Sequence, residues 1–389
     1  MMLLEHDAKG LLTSFGINEP TGHLVDLDTP APMFAFPWVV KAQVPVGGRG
    51  KAGGIAMVTS EEEYESQLGR LIGSQVRGHT VRHCRVEQVS TGNECYLSLL
   101  LDPSKGCLVI LASQAGGMDV ESQADKGGLL RAEADFSPEE ALAAIDSIAA
   151  NVPEHIGGAF RQAGGRLIDA FFALELTLAE INPLFVRSDG SWTAGDAKVV
   201  ADDNAISRQK AILDLVQRRA ADYPDVMVKL DHGFDFLRLD PDGDIGMLTT
   251  GAGLSMQLID ELIDIGCRPF NFCDIRTGQF RGSPDRMIHA LQWMAEDKGV
   301  KVVLINFFAG VTDLGELAPL ILQALDQVPN LHASILVRLI GNRLDQAVAI
   351  LEESGRALQV ESDLDVILEQ VRTLTGKAST KPLEGRALA

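Results

Sequence analysis

Residues 39–54, Val-Val-Lys-Ala-Gln-Val-Pro-Val-Gly-Gly-Arg-Gly-Lys-Ala-Gly-Gly, place Lys41 on a β-branched run. The run then breaks into five glycines interleaved with Arg49 and Lys51. This chemistry suits a polyphosphate, because glycines let backbone N–H groups approach phosphate oxygens and fixed cations balance their charge. The stretch is not a Walker A loop, since Ala52 follows Lys51, and it is not a G-x-G-x-x-G turn opening a helix. Alone, it also fits a flexible glycine loop carrying two solvated cations. A second constellation is Leu-Ala-Glu-Ile-Asn-Pro-Leu-Phe-Val at 178–186, with Asp196 shortly after it. Side chains alternate along a strand, so Glu180 and Asn182 share a face. Carboxylate and amide oxygens form a hard-oxygen set suited to Mg²⁺, which keeps waters and takes further ligands from phosphates. The plainer alternative is a hairpin with polar residues facing water; a phosphate loop upstream favours the metal.

Elements that position these residues are readable from periodicity. Residues 5–16 read as a helix ended by Gly16, and 39–44 as the strand that leads into the glycine loop. A helix over 60–71 starts at a Ser cap with a glutamate at the capping-box position. Strands are expected at 83–89, 95–101 and 107–112, and helices at 138–150 and 155–175. Strands 181–187 and 192–198 flank Asp189-Gly190 as a hairpin that returns Asp196 towards Glu180 and Asn182. Around 218–242 the pattern loosens into an acidic, proline-bearing stretch, which sets the expected domain boundary: 1–236 and 237–389. Beyond it, strand, glycine turn and helix repeat three times (245–248 then 254–265; 300–307 then 314–324; 333–339 then 344–354). That is the pattern of a parallel, doubly wound α/β sheet, whose ligands sit at the carboxyl ends of the strands.

The bulk composition narrows the function class. A net charge of −20 over 389 residues argues against nucleic-acid binding, and the basic glycine loop is a local exception in an acidic chain. Five scattered cysteines without a C-x-x-C read as reduced thiols, not a zinc site or disulfide frame. The first residues lack a signal-peptide pattern, and no apolar run reaches the ~18–20 residues of a membrane span. A cytoplasmic protein is expected.

Three features in one order, the glycine loop, the Glu-Ile-Asn-Pro-Leu hairpin with Asp196, and Gly-Ala-Gly-Leu-Ser-Met at 251–256, resemble the β subunit of succinyl-CoA synthetase and related nucleoside-diphosphate-forming acyl-CoA ligases. The resemblance runs from Glu5 and Ala8-Lys9 to about Ser354. It implies an N-terminal ATP-grasp domain, a C-terminal flavodoxin-like domain, and an α subunit that binds CoA and carries a phosphorylated histidine, in an αβ or α₂β₂ heteromer. It implies that Lys41 and Gly48-Arg49-Gly50 contact nucleotide phosphates, and that Glu87, Ser90 and Glu94 lie where the family holds base and ribose. It implies Asn182 and Asp196 as magnesium ligands, and Glu180 as the glutamate that meets the partner's histidine. Pro20 falls where proline accompanies ATP rather than GTP. None of the eight histidines lies in a Gly-His-Ala-Gly context, so the chain is expected to be inactive alone.

The second half departs from the family. Thr250 replaces an asparagine, 274–282 reads Asp-Ile-Arg-Thr-Gly-Gln-Phe-Arg-Gly in place of a glycine-rich turn, and Phe307-Phe308-Ala309-Gly310-Val311-Thr312 replaces Ile-Phe-Gly-Gly-Ile and the residue after it. Upstream, Asn93 stands where a lysine is usual. Thr250, Arg276, Arg281, Gly310, Val311 and Thr312 are the expected acid-binding residues, with Arg276 or Arg281 gripping a small carboxylate, or another oxyanion such as a sulfonate, by a bidentate fork. The expected function is an ADP-forming carboxylate–CoA ligase subunit whose acid differs from succinate or extends beyond it. Unaltered succinate or malate use, a non-catalytic subunit that keeps nucleotide binding only, and an ATP-grasp ligase joining a carboxylate to an amine are the alternatives.

Overall fold

The computed structural model describes residues 1–117, 128–276 and 282–377. The chain divides into two compact units, Met1–Arg218 and Arg219–Ala389.

The first unit holds twelve described strands: β1 Gly22–Val25, β2 Trp38–Ala42, β3 Ile55–Val58, β4 Gln75–Val76, β5 His79–Thr80, β6 Cys84–Gln88, β7 Asn93–Asp102, β8 Cys107–Ser113, β9 Leu129–Ala134, β10 Leu176–Val186, β11 Trp192–Ala194 and β12 Ala197–Ala201. One antiparallel sheet runs β1-β6-β2-β3 and a second runs β11-β10-β7-β8-β9, with β12 also on β10. Trp38, Val40 and Val86 of the first sheet pack on Tyr64, Leu68 and Leu71 of the helix Glu61–Leu71. Ser60 caps that helix by accepting from the Glu63 N–H, and the Glu63 carboxylate accepts from the N–H of Thr59. Helices Pro138–Ala149 and Glu154–Ala173 pack together, the former against β9 and β8 and the latter against β10 and β7.

The hairpin after β10 jogs at one place. Pro183 has no N–H for the ladder, and the pairing of β10 with β7 shifts between Ile181 and Leu184. Across the jog, Gly195 N–H donates to Pro183 O (2.8 Å) and Asn182 N–H to Asp196 O (3.4 Å). A Cβ at Gly195 would lie 2.4 Å from the Phe185 ring, so only glycine fits there. Asp196 leaves the ladder at this break.

The second unit contains a sheet ordered β13-β15-β14-β16-β17-β18, from β13 Asp235–Arg238, β14 Ile245–Thr249, β15 Asn271–Asp274, β16 Val302–Asp313, β17 Ser334–Asn342 and β18 Leu358–Glu361. The last five strands are parallel in flavodoxin order, and β13 lies antiparallel on β15 at the edge. Burial alternates along β16: Val303 and Ile305 join a core with helices Asp285–Ala295 and Leu314–Asp326, whereas Val302 and Leu304 join one with Ala252–Asp264 and Leu364–Leu374.

Two expectations differ from this arrangement. The stretch 219–236, assigned by sequence to the first domain, falls in the second unit. Its helix Pro224–His232 contacts β13, and the backbone of Asp235 and Phe236 pairs with Asp274 and Cys273. The strand expected to end before Phe308-Ala309-Gly310 continues through them, because β16 extends its pairing with β17 to Asp313 through a register shift after Ala309.

Candidate functional site: a glycine loop over a buried charge cluster

The glycine loop closes on itself after β2. Gly54 N–H donates to Arg49 O (2.9 Å) and Gly53 N–H to Gly50 O (3.1 Å). The N–H groups of Gly48, Arg49 and Gly50 donate to no acceptor among the described residues. Successive uncommitted N–H groups in a tight glycine turn suit phosphate oxygens. Gly48 has a φ of +68°, a left-handed conformation that glycine adopts freely.

Lys41 and Arg49 lie beneath this loop and are buried. Lys41 Nζ donates to Glu5 Oε1 (3.0 Å) and to Gly195 O (2.6 Å), and also pairs with Glu87. Arg49 Nη2 pairs with Glu5 Oε2 and Asp196 Oδ2, both at 2.6 Å, while Nη1 donates to Ala42 O. Lys9 Nζ reaches Glu5 Oε1 (3.0 Å), Glu87 Oε2 (2.8 Å) and Gly195 O (2.8 Å). Arg85 completes the cluster on Glu87 and Glu19, and its Nη1 lies 2.8 Å from His6 Nδ1. Four cations thus meet four carboxylates, the balance that a buried ionic network requires. Burial alone would raise the Glu5 carboxyl, but Lys41, Arg49 and Lys9 outweigh it and hold the group well below the usual carboxylate range. Burial likewise opposes the charge on Lys41, but Glu5, Glu87 and Asp196 push its pKa above the usual lysine value.

Sequence reasoning did not find Glu5 and Lys9 as site residues, and it aimed Glu87 at the base or ribose. The Glu87 carboxylate instead turns inward. The Glu-x-x-x-Lys spacing of Glu5 and Lys9 on the first helix is the signal that could have suggested them.

Beside the cluster, β10 shows its polar face. Glu180 and Asn182 are half-buried between buried Ala179, Ile181 and Leu184, as alternation requires. Tyr96 Oη donates to Glu180 Oε2 (3.1 Å). Burial pushes the Glu180 carboxyl up, opposed by Lys198 and the Tyr96 hydroxyl. Lys198 of β12 stands directly across from Glu180. Asn182 Oδ1 accepts from Gly117 N–H (2.6 Å) and its Nδ2 donates to Gly117 O (3.2 Å). The Glu94 carboxylate also lies beside Gly117, 2.6 Å from where a Cβ there would be. Ser90 sits half-buried in the loop between β6 and β7. Glu94, Asn182 and Asp196 are thus gathered near one another by β7, β10 and the hairpin break. No group of three or more His, Cys, Asp or Glu among the described residues could hold a metal ion. One carboxylate and one amide oxygen, Asp196 and Asn182, remain a fitting pair for Mg²⁺, which takes few protein ligands when phosphates supply the rest.

In the second unit, Thr250 follows β14 at the carboxyl end of the sheet. Its hydroxyl is buried without a hydrogen-bond partner among the described residues. Asp274 Oδ1 accepts from the N–H groups of Gly251 (2.9 Å) and Arg276 (3.2 Å). The Arg276 guanidinium is tied to Asp235 Oδ2 at 3.0 Å, so the expected carboxylate fork already has a carboxylate. Gly310, Val311 and Thr312 lie within β16, where a Cβ at Gly310 would meet nothing within 4 Å. Arg281 lies outside the described residues. No helix among the described residues is long and apolar enough to cross a membrane.

Comparison with known proteins gives a consistent match. Residues 2–186 match the ATP-grasp domain model and 248–371 the CoA-ligase model. The chain is 32% identical to the succinate–CoA ligase [ADP-forming] subunit beta of Desulfosudis oleivorans, covering 94% of this chain and 96% of that one. It is 35% identical to the Chloroflexus aurantiacus subunit of the same name, over 94% of each. Among solved structures, ATP citrate lyase from Methanothrix soehngenii, in complex with citrate and coenzyme A, superposes with a TM-score of 0.71. At 18% identity, covering 95% of this chain and 99% of that one, it shares the fold. With an ATP-grasp region followed by a flavodoxin-ordered CoA-ligase region, and relatives above 30% identity over nearly its whole length, the chain belongs to the family of ADP-forming succinate–CoA ligase β subunits.

Proposed function

We propose that this chain is the nucleotide-binding β subunit of an ADP-forming carboxylate–CoA ligase, which converts carboxylate, CoA and ATP into acyl-CoA, ADP and phosphate. The observation that carries the reading is the convergence, within one unit, of the uncommitted Gly48-Arg49-Gly50 N–H groups, the Asn182/Asp196 oxygen pair and the half-buried Glu180. Phosphoryl transfer depends on positioning and charge neutralisation more than on covalent help from the protein. The loop N–H groups bind and orient the phosphate chain. Asn182 and Asp196 would hold magnesium, which would supply further charge neutralisation. Lys41 and Arg49 act through Asp196 and the loop, fixing both from below.

Glu180 is placed to receive an imidazole N–H from a histidine of a separate α subunit. Burial raises its basicity and so strengthens that hydrogen bond. CoA is bound mainly by that partner, with the helix Ala252–Asp264, which exposes Leu254 and Met256, offering apolar surface for it. The acid is a small anionic carboxylate other than succinate, or in addition to it. Thr250, the first-turn N–H groups of the helix after it, and the Gly310–Thr312 edge receive it. The unpartnered Thr250 hydroxyl supports this placement, because a buried hydroxyl without a partner is costly unless a ligand satisfies it.

The test is reconstitution with an α-like chain bearing a Gly-His-Ala-Gly segment. Label from γ-³²P-ATP should appear on the partner's histidine only when both chains and Mg²⁺ are present. Small dicarboxylic, hydroxy and sulfonated acids are then screened for CoA-dependent ADP release. Absence of histidine labelling with a folded, co-purifying partner would overturn the proposal.

A further inference from the structure

The cations expected from the motif to hold phosphate are already committed. Lys9, Lys41, Arg49 and Arg85 all lie in the buried cluster, each paired with carboxylates. Two other cations lie against the same glycines without such partners. Arg77 occupies the two-residue turn Arg77-Gly78 that joins β4 to β5, where both residues have positive φ, +50° and +83°. This is the geometry of a tight hairpin turn. It directs the Arg77 guanidinium onto Gly48: a Cβ built there would lie 2.8 Å from Nη2 and 3.1 Å from Cζ. Lys198, on β12, comes from the other side, with Nζ 3.8 Å from a Cβ built on Gly47. Neither side chain makes a hydrogen bond or an ion pair within 4 Å among the described residues.

We infer that Arg77 and Lys198 are the phosphate-binding cations of this site, closing on a nucleoside triphosphate's phosphate chain from the two sides of Gly47-Gly48. The inference rests on the nucleotide-binding reading and adds to it which charges make the contact. The buried cluster has no net charge to offer, whereas two uncommitted cations beside three uncommitted N–H groups complement an anionic chain. Arg77 sits in a conformation that non-glycine residues adopt at a cost, and the bare Cα of Gly48 makes room for it. Lys198 has a competing duty as the charge opposite Glu180, and the experiment separates the two.

Binding of Mg-ATP to the full chain is measured by calorimetry for the wild type, Arg77→Ala, Arg77→Lys, Lys198→Met and Lys198→Arg, with adenosine as a competitor that carries no phosphate. Loss of one charge-assisted contact raises the Kd for Mg-ATP about tenfold or more. Each truncation should show that loss with adenosine affinity unchanged, and Arg77→Lys and Lys198→Arg should each recover part of it. Wild-type-like Mg-ATP affinity in both truncations overturns the inference, and so does an equal loss of adenosine binding. Failure of the wild type to bind Mg-ATP at all would instead overturn the nucleotide-binding reading.

Discussion

Glu5→Gln removes one negative charge at the centre of the buried cluster and changes almost no volume. Glu5 accepts from Lys9 and Lys41 at 3.0 Å and from Arg49 at 2.6 Å, and its side chain is 2% exposed. The variant leaves four cations facing three carboxylates in a buried site that bulk solvent screens little. Breaking a buried ionic arrangement from one side costs about 3–5 kcal/mol. At roughly 2–4 °C per kcal/mol for a unit of this size, the thermal midpoint of the first unit should fall by about 6–20 °C. Adding Lys9→Met restores the balance, so the double variant should recover part of that loss, a coupling expected of neighbours in one network. The pH dependence has a fixed sign. The Glu5 carboxyl is held well below the ordinary glutamate value in the folded chain, so its contribution is fully present above that ordinary value and disappears as pH falls through the lower folded value. Differential scanning calorimetry of the three chains at neutral pH, and of the wild type from neutral to acid, reads both effects. A Glu5→Gln midpoint within about 2 °C of the wild type at neutral pH would refute the claim that these charges depend on Glu5.

Three further outcomes follow from the site. Glu180→Gln keeps the hydrogen-bond shape but loses the charge, and should cut histidine labelling of the partner by about 100-fold or more while Mg-ATP affinity stays near wild type; equal labelling would remove Glu180 from the transfer. Asp196→Asn should raise the Mg²⁺ concentration needed for half-maximal labelling by tenfold or more, and also lower the thermal midpoint because Arg49 loses a partner; an unchanged Mg²⁺ requirement would place the metal elsewhere. Thr250→Val replaces an unpartnered buried hydroxyl with a methyl group, so stability should hold or rise by about 1 kcal/mol while the KM for the acid rises. A loss of stability with an unchanged KM would mark Thr250 as structural.

The glycine loop, the β10 hairpin and the parallel sheet of the second unit were legible because each rests on local sequence: a glycine cluster, an alternation around Asn182-Pro183, a repeated strand–turn–helix pattern. The identity of charge partners was not. Lys41 and Arg49 read as phosphate ligands because a motif displays the cation, whereas the carboxylates that neutralise them, Glu5 and Glu87, arrive from other elements on folding. Lys198 was hidden for the opposite reason. Its strand was read as a return arm for Asp196, and only the antiparallel register sets it across from Glu180. The helix Pro224–His232 and β13 were missed because both are short and lie in an acidic stretch, and β13 finds its partner β15 about 35 residues downstream. Arg276 was visible as a cation but not as one already bound to Asp235.

The layering of this site, a sealed neutral cluster below and uncommitted cations above, divides its response to ionic strength. At physiological salt, interactions between exposed charges fade beyond about 8 Å, whereas buried pairs are screened far less. Arg77 is exposed and Lys198 half-buried, while Glu5, Lys9 and Glu87 are sealed. Added salt should therefore weaken the proposed grip on a nucleotide's phosphates while leaving the scaffold under the loop intact. On the proposed nucleotide-binding reading, the chain would lose and regain its ligand across a range of salt concentrations without loosening the part of the fold that holds Asp196 in place.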